Sequence, residues 1–344
     1  MKNTYYIASW LQGDGEGINK VEYDPSSNTL YSKEIISNVK RSSYFARNKD
    51  ILYVLTEMPM AIPNKGVITS FEMGNEGLQL LNQSEYFDSG VTHLSISNNK
   101  KYLYGSGYGT GTVIVANIDE QGNISNTRKG YKNIGSSINL KRQESSHLHF
   151  SVETPDDGYL CVCDLGTDEI LVFKIDETTG DIIKVSSSKT PLGYGPRHMV
   201  FSKDSRHLYV LCELNYHLLI YSYNGSGDIE FLEDIDLWEG LPVDKRACSA
   251  IKLSDDGKYL FTGNRGEGYN SIDCFDLSDP IKPIKECSYL ETGFPRDFTL
   301  LEDGYIAICN QHENNITFVR HKNKSLIKTG IIENIQMPVS IIQK

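Results

Sequence analysis

Charged and hydrogen-bonding side chains recur in this sequence at places where a repeated strand would otherwise carry small or apolar residues. Related stretches read strand, polar turn, strand, and their first positions form one series: Ser43, Thr92, His149, Arg197, Cys248 and Arg296, continued by Val339. A second series stands at the far end of the second strand: Glu57, Tyr108, Leu165, Glu213, Arg265 and Gln311. A structural repeat has no need for unlike charged groups at equivalent positions, and an unpaired charge beside apolar strand residues is costly. If both series gather around one mouth, a shared polar pocket resolves that cost. His, Glu and Arg brought together are groups that move a proton near neutral pH and stabilise developing negative charge.

The elements that position these residues are legible as a repeat. Pro196–Glu213, Cys248–Arg265 and Thr92–Tyr108 are three copies of one pattern, and others begin near Ser43, His149 and Arg296. Each turn inside a copy is rich in Asp, Asn, Gly or Lys, as a hairpin between buried strands requires. A second hairpin follows, with Glu169–Ile175, His217–Tyr223 and Asn315–Arg320 as its clearest strands. The last strand of each unit is more polar, as the outermost strand of a blade should be. The copies recur at a spacing of roughly 43 to 57 residues, in the range of propeller blades. No stretch reads as an amphipathic helix, and no linker divides the chain.

The expectation is therefore an all-β chain: a seven-bladed β-propeller of four antiparallel strands per blade, in one domain over residues 1–344. In such a fold the first strand of each repeat lines the central channel. The ends complete one blade. Residues 337–343 read as an opening strand, and Thr4–Trp10, Gly17–Tyr23 and Thr29–Ile36 supply three more. That clasp would close the ring and remove exposed sheet edges.

Composition narrows the function classes. A net charge of -11 argues against a nucleic-acid partner, because phosphate backbones demand excess Lys and Arg. An acidic surface also repels anionic membranes. A small anionic ligand needs a local cluster of Arg to override the global field. The N-terminus lacks a signal-like apolar core, and no stretch approaches the ~20 apolar residues that span a bilayer, so the expected location is cytoplasmic. Seven cysteines are an odd number. Cys161 and Cys163 would share one face of a strand and are expected to be buried free thiols rather than metal ligands.

Five phrases give a specific likeness: Ser146-His-Leu-His149, Gly195-Pro-Arg-His198, Leu211-Cys-Glu-Leu214, Gly263-Asn-Arg-Gly266 and Phe294-Pro-Arg-Asp-Phe298. In this order, and across essentially the whole chain, they resemble the seven-bladed lactonase family. That family includes propeller-type 6-phosphogluconolactonases and 3-carboxy-cis,cis-muconate lactonizing enzymes. The resemblance implies a catalytic group of His149, Arg197, Glu213 and Arg265. It also implies a place in carbohydrate metabolism, in the pentose phosphate pathway. A sugar lactone needs a deprotonated water, a stabilised carbonyl oxygen and a protonated leaving oxygen. Glu213 would be base or water-orienting group, an Arg would face the oxyanion, and His149 would serve as acid or base. Arg296 and Gln311 would hold a phosphate or carboxylate, with His147 as accessory and Tyr108 and Glu57 as lining.

Competing readings stand beside this one. Arg197, Glu213 and Arg265 could form an ion-pair network between blades with no catalytic part. His198 and Asp297 each follow an Arg of the first series, point the other way, and read as structural. The same scaffold could run a muconate cycloisomerisation, or bind a protein partner without catalysis; no protein partner is named by the sequence. The Trp-Asp and Gly-His marks of common scaffold repeats are missing. So are the serine-hydrolase elbow, the His-Glu-x-x-His motif, the phosphate-binding loop and the dinucleotide fingerprint. Gly105–Gly111 is Gly-rich but joins strand to strand, so it reads as a turn. With a mouth rich in Arg, neither a metal nor any other cofactor is expected there.

Overall fold

A computed structural model describes residues 2–10, 17–36, 39, 41–57, 65–86, 90–238, 247–267 and 269–344. Among them, twenty-eight strands form seven four-stranded sheets. Six sheets are built from consecutive strands, and the seventh is completed from both ends of the chain. There Pro338–Gln343 lies antiparallel beside Asn3–Ser9, with Tyr5 opposite Gln343 and Ser9 opposite Pro338. The expected blades and the mixed terminal sheet are thus both present. The one helical element among the described residues is a 3-10 turn at Glu302–Gly304, and no described helix is long and apolar enough to cross a membrane.

The chain groups into two compact units, residues 46–240 and residues 1–45 with 241–344. In the first, the strand Glu169–Ile175 is apolar on both faces because Ile170, Leu171, Val172 and Phe173 are all fully buried. Cys161 and Cys163 pack with Ile170 and Val172 against Met199, Val210 and Cys212 of the following sheet. They are buried free thiols, and burial pushes the Cys161 thiol up to about 12. In the second unit, Tyr5, Ile7 and Ile341 of the terminal sheet pack with Ala307, Cys309 and Phe318. Outermost strands such as Ile182–Lys189 are largely exposed. The turn from Glu153 to Tyr159 passes through Asp157 and Gly158, both at positive φ, which explains the Asp-Gly pair there.

The opening strand of several sheets carries a β-bulge near its start. Leu148 opposes Asp164 and Phe150 opposes Cys163, which leaves His149 as the extra residue. Arg197 is extra in the same way between Pro196 and His198, Arg296 between Pro295 and Asp297, Thr92 between Val91 and His93, and Val339 between Pro338 and Ser340. A bulge sets two residues against one and re-aims a side chain. Five of the seven positions of the first series are therefore bulges. One member needs correcting: Cys248 pairs with Asn264, and the slip falls on Ser249 and Ala250, so Ser249, not Cys248, follows the paired residue as Arg197 does.

Five of the six members of the second series share one recurring backbone bond. The N–H of Tyr108 donates to Gly90 O at 2.9 Å, Leu165 to His147 at 3.0 Å, and Glu213 to Gly195 at 2.7 Å. Arg265 donates to Ala247 at 2.7 Å and Gln311 to Phe294 at 3.2 Å. Trp10 makes the same bond to Met337 O at 3.0 Å, so it belongs to this series. As expected, Gly105 and Gly107 lie in a strand and residues 108–111 turn into the next.

The terminal sheet yields a test. Deleting residues 337–344 removes the strand that pairs with Asn3–Ser9 and exposes that strand's edge. The truncated chain should melt at least ~4 °C lower in a calorimetric scan; an unchanged transition would contradict the pairing.

Candidate active site

Three of the residues singled out in the sequence meet within the unit of residues 46–240. Glu213 Oε2 accepts a hydrogen bond from Arg197 Nε at 2.8 Å, and His149 Nε2 stands 4.0 Å from the same oxygen. All three side chains are about 5% exposed or less. The bulges at His149 and Arg197 and the backbone bond from Glu213 to Gly195 bring them together across two neighbouring sheets.

A fourth member was missed by the sequence reading. Arg142 donates through a terminal guanidinium nitrogen to Glu213 Oε1, and the same nitrogen lies 3.3 Å from the Tyr108 hydroxyl. Burial alone would lower the Arg142 guanidinium; the Glu213 charge and the bonds to Glu213 and Tyr108 outweigh it, and the net shift is upward. The group stays charged. Each Glu213 oxygen thus faces a cation, and two guanidinium groups against one carboxylate leave one formal positive charge.

Arg142 sits in the connection of residues 133–147, whose ends are pinned by buried carboxylates. Asp164 Oδ2 accepts from Asn133 Nδ2 at 2.7 Å and Ser146 Oγ at 2.6 Å, while its Oδ1 accepts from the His147 N–H at 2.9 Å. Asp168 accepts from Ser137 Oγ and from the N–H groups of Gly193 and Gly195 at 2.7 Å. Gln143, fully buried, donates to Leu165 O at 2.9 Å. A connection of this length without secondary structure is a common place for functional groups, and that was the available signal for Arg142.

The lining residues hold the histidines. His147 stacks on Tyr108 with ring centroids 4.3 Å apart, and its Nδ1 lies 2.7 Å from Tyr108 O. Its Nε2 is 3.1 Å from Glu144. Tyr108 in turn meets His149 edge-on at 5.8 Å. Thr92 donates through its hydroxyl to His149 O at 3.2 Å, from the neighbouring bulge. His198, read as structural, is buried against Phe150 and lies 5.3 Å from the His149 ring. Glu57 ends the strand Ile51–Glu57, and its side chain lies outside the described residues.

The remaining sequence candidates belong to the other unit. Arg265 Nε donates to Cys248 O at 3.1 Å, and its guanidinium lies 5.1 Å from the Phe294 ring. Arg296, on its bulge, lies 5.7 Å from the Trp10 ring. Gln311 is buried, and its Oε1 has no hydrogen-bond partner among the described residues. Asp297 pairs with Lys252 at 3.7 Å, in keeping with a structural part.

The ion pairs carry a stability test. Arg197→Ala leaves one oxygen of the buried Glu213 carboxylate without its guanidinium partner, with Arg142 still on the other, and should cost up to about 3 kcal/mol, the lower end of the loss for a broken buried pair. Arg142 is 41% exposed, so Arg142→Ala should cost at most about 1 kcal/mol. Equilibrium urea unfolding of both variants checks the ranking; equal losses would contradict it.

The family described as "Lactonase, 7-bladed beta-propeller" matches residues 4–341. An uncharacterized protein of Staphylococcus epidermidis is 29% identical over 316 residues, covering 90% of this chain and 89% of the relative. One from Staphylococcus aureus is 26% identical over 338 residues, 96% of each. Among solved structures, the periplasmic gluconolactonase of Pseudomonas aeruginosa aligns with a TM-score of 0.90 at 22% identity, covering 100% of this chain and 99% of that one. A candidate 6-phosphogluconolactonase of Bacteroides fragilis aligns at 0.85 and 22%, covering 100% and 98%. At such identities the solved structures establish a common fold.

Proposed function

Because the chain belongs to the seven-bladed β-propeller lactonase family, we propose that it hydrolyses a sugar lactone, with 6-phosphoglucono-δ-lactone as the substrate of choice. The observation that supports this most is the Arg142–Glu213–Arg197 group, with Glu213 and Arg197 buried and His149 4.0 Å from the carboxylate. Its net positive charge suits an anionic substrate and an oxyanion, despite the acidity of the whole chain. The name of the Pseudomonas aeruginosa structural relative, a gluconolactonase, agrees in reaction class.

In this reading a water sits between His149 Nε2 and Glu213 Oε2, hydrogen-bonded to each at about 2.8 Å. Its oxygen attacks the lactone carbonyl carbon while His149, in the tautomer protonated at Nδ1, accepts one water proton at Nε2. Glu213 accepts a hydrogen bond from the water's other hydrogen and aims its lone pair. Both carboxylate oxygens already receive guanidinium donors, which favours Glu213 as the orienting group over Glu213 as the proton acceptor. The carbonyl oxygen gains negative charge facing an arginine. Collapse breaks the bond from the carbonyl carbon to the ring oxygen, and the imidazolium returns its proton to that oxygen. The product is the open hydroxy acid, which then ionises.

The parts assigned to Arg265, Arg296, Gln311, Tyr108, His147 and Glu57 rest on the resemblance and on their equivalent positions in the repeat. Arg265 is proposed to stabilise charge, and Arg296 with Gln311 to hold the phosphate through planar, two-pronged bonds.

His149→Ala and Glu213→Gln should each lower kcat by ~10²–10⁴-fold, measured by a dehydrogenase-coupled assay corrected for spontaneous hydrolysis. Arg296→Ala should mainly raise KM for the phosphorylated lactone and spare the free one. Melting temperatures on the same samples separate lost chemistry from lost folding. A Glu213→Gln protein that stays folded and fully active would remove Glu213 from the mechanism.

A further inference from the structure

Four side chains that take no part in the chemistry above converge in the unit of residues 1–45 and 241–344. Cys274 lies in the strand Tyr269–Asp276 and is the direct register partner of Cys287 in the outermost strand Ile284–Tyr289. The ladder slips beside this pair: Phe275 opposes Lys285, so Glu286 is the extra residue of a bulge. Neighbours in a regular strand point to opposite faces; a bulge lets Glu286 and Cys287 serve one side. His321 arrives from the strand Asn315–Lys322 of the next sheet. Its ring is held edge-on by Tyr259 at 4.6 Å and Phe261 at 5.6 Å. One ligand atom from each of the four residues lies within 4.8 Å of all the others.

One ring nitrogen is shared between two neighbours inside the group. His321 Nε2 is 2.9 Å from Glu286 Oε2 and also 3.7 Å from Cys274 Sγ. One ring nitrogen carries one hydrogen or one lone pair, so it cannot serve both well. A cation at the centre would serve all four groups at once.

We propose that Cys274, Cys287, Glu286 and His321 bind one thiophilic divalent cation of the zinc class in a closed, structural site. Two thiolates, an imidazole and a carboxylate supply the four ligands of a tetrahedral zinc centre. Zinc bonds of about 2.0–2.3 Å place tetrahedral ligand atoms roughly 3.3–3.8 Å apart, and the present spacing reaches this by shifts of an ångström or less. Sulfur ligands disfavour magnesium and calcium. Two thiolates and one carboxylate exceed the cation's charge by one, and Lys324 Nζ, 3.5 Å from Glu286 Oε1, offsets the remainder. With four protein ligands no position is open to substrate. The ion would instead tie the outer part of one sheet to its neighbour in this unit.

The full chain, purified under reductant from zinc-supplemented culture, is assayed for bound metal by plasma mass spectrometry. After stripping with chelator it is titrated with cobalt(II). The expected result is about one zinc per chain and a near-ultraviolet thiolate-to-cobalt charge-transfer band, both lost in Cys287→Ser and in His321→Ala. Stripping should lower the melting temperature and leave lactone hydrolysis intact, which separates this site from the Glu213 cluster. A folded, reduced wild-type chain that shows no cobalt band overturns the proposal without recourse to any variant. So does a Cys274–Cys287 disulfide that forms in the presence of zinc.

Discussion

A β-bulge places two residues of one strand against one of its neighbour, and the displaced side chain leaves the alternation that governs the rest of the ladder. In this protein that local fault recurs near the start of opening strands, and His149, Arg197 and Arg296 all stand on it. Without the slip after Pro196, Arg197 would fall into the regular alternation of its strand. Instead its Nε meets Glu213, whose own place is set by the backbone bond to Gly195. The charged cluster and the fold are thus linked by a geometric defect that the surrounding hairpins hold in place.

The buried charge explains much of the remaining architecture near the site. A carboxylate taken out of water is costly unless paired, and Glu213 is paired from two directions. Arg197 comes from a strand, and Arg142 from a connection without secondary structure. That connection would be a poor platform if loose. Asp164 and Asp168, both fully buried, gather hydrogen bonds from Asn133, Ser137, Ser146 and the backbone around residues 147 and 193–195. The same carboxylates fix the backbone beside His149 and ahead of Arg197.

The repeat, the number of sheets and the mixed terminal sheet were legible because alternating burial and turn residues report strands directly. The bulged positions were picked out by residue type: His and Arg stood where a repeat needed neither. What could not be read was the slip itself, since a bulge changes no residue pattern. Hence Cys248 was placed where Ser249 belongs, and Trp10 was left out of the series that its bond to Met337 assigns it. Arg142 lies in a stretch with no periodicity, where only the length of the connection points to function. The convergence of Cys274, Cys287 and His321 likewise depends on a bulge at Glu286 and on packing between sheets, neither of which sequence spacing records.

In the proposed reaction the arginine-rich, His149-bearing cluster acts on the carbonyl of an anionic lactone. The most direct measurement is the wild-type rate on a panel of phosphorylated and free sugar lactones and muconolactones, each against its spontaneous rate. The prediction is clear acceleration for sugar lactones, with the highest kcat/KM for 6-phosphoglucono-δ-lactone. Turnover of muconolactones alone, or no rate above background for any sugar lactone, would contradict it.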